Sequence, residues 1–180
     1  MLEQTIMAKP ADSFSLPQGA APKLKALHDY WQSIHPDGGG LPGRRHLDPV
    51  DIPELLPNIW MVDVKRAPQS SGGLRFRFRL VGTEIVKFTG RDMTGCWLDQ
   101  VYPDYEETEA FRNHKAVAES GRPGYRKSGV LSNPTRHHIE AERLYLPLAE
   151  DGETVDILLI MTLYRGEPPV YQTQRRFKAS

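Results

Sequence analysis

The chain has 180 residues, a length typical of one domain with extensions. Its 23 basic and 23 acidic residues cancel, so no strong field is available to attract nucleic acid or an anionic membrane. A single cysteine, Cys96, excludes an internal disulfide framework and fits a reducing cytoplasm, where we expect the protein to reside. The first residues lack a signal-peptide pattern, and the longest apolar run, residues 157–163, is too short to span a bilayer.

The N-terminal part predicts a loose tail followed by one helix and a connector. Pro10, Pro17 and Gly19 interrupt any regular period over residues 1–21. Residues 23–35 predict an amphipathic helix, with a proline before its first turn and another just after its end. A proline-rich connector follows the helix. The apolar residues of the predicted helix recur three and four positions apart: Leu24, Leu27, Tyr30, Trp31 and Ile34.

Two paired strands are predicted next, over residues 59–64 and 74–82, on either side of a Ser-Gly loop. The second strand alternates strictly between apolar and basic residues, which is typical of a half-buried strand. One face carries Leu74, Phe76, Phe78 and Leu80, and the other carries Arg75, Arg77 and Arg79.

Helical pieces and three more strands complete the pattern. Short turns are predicted near residues 85–90 and 96–101, and a longer helix over residues 103–120, closed by Gly121. Acidic residues at the start of this helix complement its dipole, and Thr108, Phe111 and Val117 mark its predicted buried side. The remaining strands are predicted over residues 125–131, 138–148 and 154–164, the last two joined by an Asp-Gly turn.

Three segments of this pattern resemble the PAS family, in particular small bacterial proteins made of one PAS domain and short extensions. The segments are LPGRRHLDPVDIPELLPNIWMVDV, FRFRLVGTEIVKFTGRDMTGCWLDQV and ERLYLPLAEDGETVDILL, together with the helix ending in ESGRP. The resemblance implies an α+β fold, a five-stranded antiparallel sheet with helices on one face, plus an N-terminal helix. It divides the chain into a flexible tail (1–21), the N-terminal helix and connector (22–56), the PAS core (57–165) and a C-terminal tail (166–180).

Family members bind small molecules or proteins and pass a signal to a partner. Cys96 lies where blue-light flavin members carry their reactive cysteine, but its neighbours Gly95 and Trp97 differ from theirs, so we expect a buried or half-buried structural thiol. Some PAS domains hold haem through a histidine on the long helix. His114 lies there, yet no second haem feature appears, and we expect a surface or boundary histidine. No cofactor is therefore expected, and the purified protein should be colourless.

Two polar patterns have both a binding and a structural interpretation. His138, Glu140 and Glu142 alternate along one strand, and a solvated edge is favoured over a zinc site because such residues spread along the strand. The arginine stripe on the second strand suits phosphate, or pairing with Glu140, Glu142 or acids of an adjacent strand; zero net charge favours pairing.

The apolar interior is the remaining candidate site, and a filled core is favoured over a ligand cavity. Which strand faces look inward stays open. The side chains expected to converge between sheet and helices are Phe76, Phe78, Leu80, Phe88, Trp97, Phe111 and Met161.

These observations favour a stand-alone sensory or interaction module, with a small apolar ligand as a candidate and a signalling partner such as a histidine kinase. The alternative is a small isomerase or hydrolase that uses a buried carboxylate, for which Asp63, Asp99 and Asp156 are the candidates.

Self-association is the last expectation from the sequence. The final strand is apolar on both faces, so the sheet needs cover on both sides, and one helix is narrow against five strands. The apolar stripe of the N-terminal helix is therefore a candidate homodimer interface, and a helix packed wholly on its own sheet is the alternative.

Overall fold

The structure, a computed structural model, describes residues 14–70, 72–129 and 140–166. Its helices are α1 (Pro22–Ser33), α2 (Thr83–Thr89), α3 (Leu98–Val101) and α4 (Glu109–Ser120). Its strands are β1 (Ile59–Arg66), β2 (Leu74–Val81), β3 (Gly124–Gly129), β4 (Glu140–Leu148) and β5 (Ile157–Arg165). Among the described residues, no helix is long and apolar enough to cross a membrane.

The five strands form one antiparallel sheet in the order β2-β1-β5-β4-β3. The expected five-stranded α+β architecture with an N-terminal helix is confirmed. Since β5 lies at the centre, its side chains are buried on both faces, which explains why its sequence is apolar at successive positions.

The long helix begins later than the sequence predicts. Residues 105–107 form a turn of 3₁₀ helix, and Thr108 then caps α4 by accepting a hydrogen bond from the Phe111 N–H at 3.2 Å. Gly121 ends the helix with a φ of 65°, a left-handed conformation that glycine adopts without strain. These two caps set the ends of α4 at Glu109 and Ser120.

The sheet separates two apolar layers. The inner core lies between the sheet and the segment carrying α3 and α4, and the outer core lies between the sheet and α1 with its connector. The inner core includes Val62, Phe76, Phe78, Leu98, Tyr105, Phe111, Val117, Tyr145, Leu158 and Ile160. The outer core includes Leu24, Leu27, Trp31, Leu47, Ile59, Met61, Leu144, Leu146, Leu148, Leu159 and Met161.

A β-bulge interrupts the strict alternation predicted for β2. Val62 pairs with Phe78, but Met61 pairs with Leu80, so Arg79 is the extra residue. Because paired residues share a face and Met61 belongs to the outer core, Leu80 lies on the outer face of the sheet, and 41% of it is exposed. The sequence assigned Leu80 to the same face as Phe78, and that assignment is wrong.

Candidate functional site

His114 lies at the centre of the inner core. It belongs to the buried stripe of α4, where Phe111 precedes it by one turn and Val117 follows by one turn, and only 2% of it is exposed. The expectation of a surface or boundary histidine is therefore wrong. The spacing 111, 114, 117 was the available signal, since it places His114 on the same helical face as two residues predicted to be buried.

Four aromatic rings surround the His114 imidazole. The ring centroids of Phe76, Tyr145, Trp60 and Tyr105 lie 5.4, 5.5, 5.6 and 6.0 Å from that of His114. These rings come from β2, β4, β1 and the turn before α4, so the sheet and the segment over its inner face together form an aromatic cage around His114. Sequence reasoning did not assign Trp60, Tyr105 or Tyr145 to a site, because nothing local in the sequence brings them together.

The His114 imidazole is neutral, and only one of its two nitrogens has a hydrogen-bond partner among the described residues. The Tyr105 hydroxyl lies 2.6 Å from Nδ1, whereas Nε2 is buried and has no hydrogen-bond partner among the described residues. Burial, with a smaller contribution from the Arg143 charge, lowers the pKa of His114 to about 3. Burial also raises the pKa of Tyr105. The pair is thus uncharged at neutral pH, and one ring nitrogen remains available to a ligand.

Tyr145 connects this cage to the molecular surface. Its ring contacts His114, and Tyr145 also lines a depression of about 130 Å³ between α4 and β3. Asn113 and Tyr125 also line that depression, and the Asn113 side chain lies against the Tyr145 phenol. A displacement of the Tyr145 ring would therefore open a path from the depression to His114.

The cage does not fit haem. With four ring centroids 5.4 to 6.0 Å from that of His114, aromatic side chains occupy the space that a porphyrin bound to Nε2 would need. The depression of about 130 Å³ behind Tyr145 suits a molecule much smaller than haem.

The structure brings three of the seven expected lining residues together. Phe76, Phe78 and Phe111 all belong to the inner core, and the Phe76 and Phe111 rings lie 5.9 Å apart. Phe76 also contacts His114 directly. The structure places these three expected residues together, and their role in lining a ligand site stays a prediction.

The other four expected lining residues lie elsewhere. Met161 faces the outer core, since its odd-numbered neighbours on β5 point towards α1. Leu80 is turned outward by the bulge, and Phe88 of α2 stacks on Tyr164 with centroids 3.7 Å apart. Trp97 lies at the sheet edge, where the Arg75 guanidinium stands 4.0 Å from its ring centroid. The expectation that these side chains reach the inner core is wrong.

The arginines of β2 pair with acids of β1 and α3. Arg77 and Arg79 both bind the buried carboxylate of Asp63 on the adjacent strand, at 2.9 and 3.0 Å. Arg75 binds Asp99 at 2.6 Å. The arginines of β2 therefore form ion pairs, the interpretation that the sequence favoured over phosphate binding, but their partners are not Glu140 and Glu142. Burial disfavours the charged form of Asp63, but the two guanidinium hydrogen bonds outweigh it and hold the pKa of Asp63 below its usual value.

Glu142 is buried rather than solvated, with 2% of it exposed. Its carboxylate accepts hydrogen bonds from the Ala21 backbone N–H at 2.9 Å and from the Tyr125 hydroxyl at 3.1 Å, and it pairs with Arg165 at 3.5 Å. The expectation of a solvated edge is wrong for this residue, while His138 lies outside the described residues. Within the described ranges, no group of three potential metal ligands converges.

The N-terminal helix covers its own sheet. Leu24, Leu27 and Trp31 are buried in the outer core, and Tyr30 and Ile34 pack against it. The Trp31 indole N–H donates to the Pro147 carbonyl at 3.0 Å, which fixes the helix on β4. The stripe proposed as a dimer interface is therefore already buried within the chain, as the alternative interpretation had it. Self-association itself stays a prediction.

Two smaller expectations concern Cys96 and the carboxylates. Cys96 is exposed, so the expectation of a buried or half-buried thiol is wrong. Asp63 and Asp99 are bound by arginines, and Asp156 accepts from the Glu150 N–H at 3.3 Å. The depression beside Tyr145 is not lined by any of these three carboxylates.

Five antiparallel strands in the order found here, with helices over one face and an N-terminal helix over the other, define the chain as an α+β protein of the PAS type. A family model described as "PAS domain" matches residues 20–162, and the chain belongs to this family. The match includes α1 and the connector as well as the sheet. A comparison with curated proteins found no match. PAS domains act in general as sensory or protein-interaction modules, and they are typically not enzymes.

Proposed function

We propose that the protein is a PAS sensory module that binds a small, mainly apolar ligand in the inner core and acts by contact with a signalling partner such as a histidine kinase. The observation that carries this proposal is that Nε2 of His114, inside an aromatic cage, has no hydrogen-bond partner in the part of the chain that the structure describes. A buried polar atom without a hydrogen bond costs roughly 1–3 kcal/mol, and a bound ligand can recover that cost.

The chemistry of the cage defines the ligand class. Phe76, Trp60 and Tyr145 offer apolar and aromatic surface, and Nε2 offers a single hydrogen-bonding position. The ligand is therefore a compact apolar or aromatic molecule with one polar group. Because His114 is neutral and buried, a strongly charged ligand would lose its hydration without gaining a counter-charge.

Strand β4 connects the ligand site in the inner core with the outer core under α1. Tyr145 points into the inner core, whereas its neighbours Leu144 and Leu146 point into the outer core beneath α1. A ligand that displaces the Tyr145 ring shifts β4, and the shift reaches α1 through these two leucines. The fold thereby couples the interior to the outer surface, which a partner can contact.

Native mass spectrometry tests ligand binding. The full chain is incubated with a small-molecule extract of the source cells, and we expect a retained molecule at one copy per chain. His114→Phe keeps a ring in the cage but removes Nε2, and we expect it to lose that molecule. His35→Phe, a control on a histidine outside the inner core, retains it. A chain that retains nothing, or a His114→Phe variant that binds equally well, contradicts the proposal.

The partner is tested separately. We expect the full chain to change the autophosphorylation rate of a histidine kinase from the same cells, and to do so differently with and without the retained ligand. An unchanged rate with every kinase of those cells contradicts the signalling part of the proposal and leaves the ligand site standing.

A further inference from the structure

The outer face of the sheet is covered unevenly. The outer core under α1 is built from β1, β4 and β5, whereas the outer side of β2 carries Arg75, Arg77 and Arg79, which are one third to one half exposed. The bulge adds Leu80 to this side, and Lys65 of β1 stands opposite Arg75. In the described part of the chain, no residue of β2 belongs to the outer core, and we call the area formed by Lys65, Arg75, Arg77, Arg79 and Leu80 the β2 face.

The β2 face is positively charged at its centre. Asp63 is buried beneath it and supplies one negative charge to Arg77 and Arg79, while Lys65 is close enough to act on the same carboxylate. Three cations thus surround one anion. Further along the strand, Arg75 is neutralised by Asp99, with Glu106 nearby. The excess of positive charge therefore lies around Asp63, in a chain whose net charge is zero.

Asp63 orients Arg77 and Arg79 but does not engage all of their N–H donors. Arg77 binds Asp63 through Nε and Nη2, and Arg79 binds it through Nη1. Each guanidinium has five N–H donors, so several remain, and the side chains are 43% and 47% exposed. Because Asp63 already holds both side chains in place, a second carboxylate can bind them with little further loss of side-chain entropy.

We propose that the β2 face docks an acidic protein segment, in which a carboxylate binds Arg77 and Arg79 and an apolar side chain packs on Leu80. Arginine is enriched at protein interfaces, and the exposed Leu80 adds apolar surface beside the arginines. Nucleic acid fits less well, since only a few phosphates can be neutralised here. A second copy of this chain also fits less well, because two-fold pairing would oppose like charges. The inference deepens the proposed function by giving its partner a docking site.

Site-specific photo-crosslinking identifies the occupant. A photoreactive phenylalanine analogue replaces Leu80 in the full chain, which is expressed in the source cells, and the crosslinked peptide is sequenced. A parallel chain carries the analogue at Val50, the other large apolar residue that is well exposed in the described part of the chain. We expect Leu80 to capture a protein segment with more acidic than basic residues, and Val50 not to capture it.

Charge reversal then tests the recognition. Lys65→Glu leaves the contacts of Asp63 with Arg77 and Arg79 in place, and we expect it to lower the Leu80 crosslinking yield about tenfold. Lys115→Glu, on α4 at the opposite side of the sheet, leaves the yield unchanged. Circular dichroism checks that both variants are folded.

The other outcomes overturn the inference. Capture of a neutral or basic segment, of nucleic acid or of a second copy of this chain refutes it, as does a yield that Lys65→Glu leaves unchanged. If Leu80 captures nothing while Val50 captures a signalling protein, the docking surface is wrong but the proposed function stands. If neither position captures a protein, and no kinase responds to the full chain, both fail.

Discussion

The two apolar layers of this protein cover the same sheet with different chemistry. The outer core is mainly aliphatic, with leucines from α1 and β4 meeting across the interface. The inner core contains Tyr105, His114 and Tyr145, which place polar atoms in the buried interior. Strand β4 serves both layers, since Leu144 and Leu146 face one side and Tyr145 the other.

This difference means that the outer core contributes mainly to stability, whereas the inner core can also select a ligand. Aliphatic side chains gain free energy from burial alone and distinguish poorly between small molecules. A buried imidazole with one unused nitrogen costs stability and can select a ligand by hydrogen bonding. We therefore expect substitutions in the outer core to change the free energy of unfolding without changing ligand binding, and substitutions around His114 to change both.

Removal of α1 should have the largest effect. A chain that begins at Leu41 lacks Leu24, Leu27 and Trp31, each of which contributes roughly 1.5–3 kcal/mol through burial. Their sum approaches the total stability of a typical domain, and the outer faces of β4 and β5 would be exposed to water. We expect this truncated chain to lose cooperative thermal unfolding, measured by circular dichroism.

The control for this experiment is Lys25→Ala, an exposed position on α1, which should change the melting temperature little. A truncated chain that still melts cooperatively would mean that α1 contributes little to the fold, and the comparison of the two layers would have to be abandoned.

Phe78→Ala tests the inner core as a packed layer. Phe78 is 2% exposed and contacts Trp60 with centroids 5.6 Å apart. Truncation leaves a cavity that the surrounding rings cannot fill, so we expect a loss of about 3–5 kcal/mol in urea unfolding. Leu80→Ala, two residues away but on the exposed outer side, should cost far less. Equal losses at the two positions would show that the bulge does not reverse the strand face.

His114, a residue of the inner core, makes the free energy of unfolding depend on pH. Its pKa is about 3 in the folded chain, against 6.5 for an unperturbed histidine. Between these values the unfolded chain binds a proton at His114 and the folded chain does not. The free energy of unfolding therefore falls as the pH decreases below 6.5, by up to about 1.4 kcal/mol per pH unit from this residue.

His114→Leu removes this contribution, so we expect a smaller loss of stability between pH 6.5 and pH 4.5 than in the unmodified chain, measured by urea unfolding. His28, whose pKa is also lowered by burial, remains in both proteins and cancels in the difference. Identical pH profiles would mean that His114 is accessible to protons in the folded state, and the cage would not be closed.

The sequence predicts the fold well because the fold depends on periodicity, which is local. The alternation of Leu74, Phe76 and Phe78 and the helical spacing in α1 are visible without knowledge of the partners of these residues. The bulge at Arg79 is not visible, since it depends on the register with β1. The strictly alternating pattern therefore misplaced Leu80 after predicting the preceding residues correctly.

The site is harder to predict than the fold for the same reason. Trp60, Phe76, Tyr105 and Tyr145 come from four separate segments, and their contacts with His114 depend on the sheet order. A lone histidine on a helix has no local mark that distinguishes a surface position from a buried one, except its spacing from apolar neighbours. Met161 was misplaced because β5 is apolar on both faces, so its sequence does not show which face looks inward.

Of the expected changes in the free energy of unfolding, that of Arg77→Ala is the smallest, and it tests the outer face of the sheet. If Arg77 were simply solvated, its removal would cost at most roughly 0.5 kcal/mol. Instead it binds the buried carboxylate of Asp63, which would keep only Arg79 as its arginine partner. We expect a cost of about 1–2 kcal/mol at neutral pH, since one hydrogen-bonded partner of a buried charge is lost while the other remains.

The matched control for Arg77→Ala is Arg45→Ala, which breaks an ion pair with Glu150 in which both side chains are more than half exposed. Such pairs contribute little, so this variant should stay within about 0.5 kcal/mol of the unmodified chain. The pKa of Asp63 lies below its usual value, so its ion pairs stabilise the fold above the pKa of an unfolded aspartate and are lost as the pH falls through the folded value. The difference between the two variants should therefore narrow in acid. Equal costs at neutral pH would mean that the arginines of β2 are ordinary surface residues, and Asp63 would then not hold them in place for a partner.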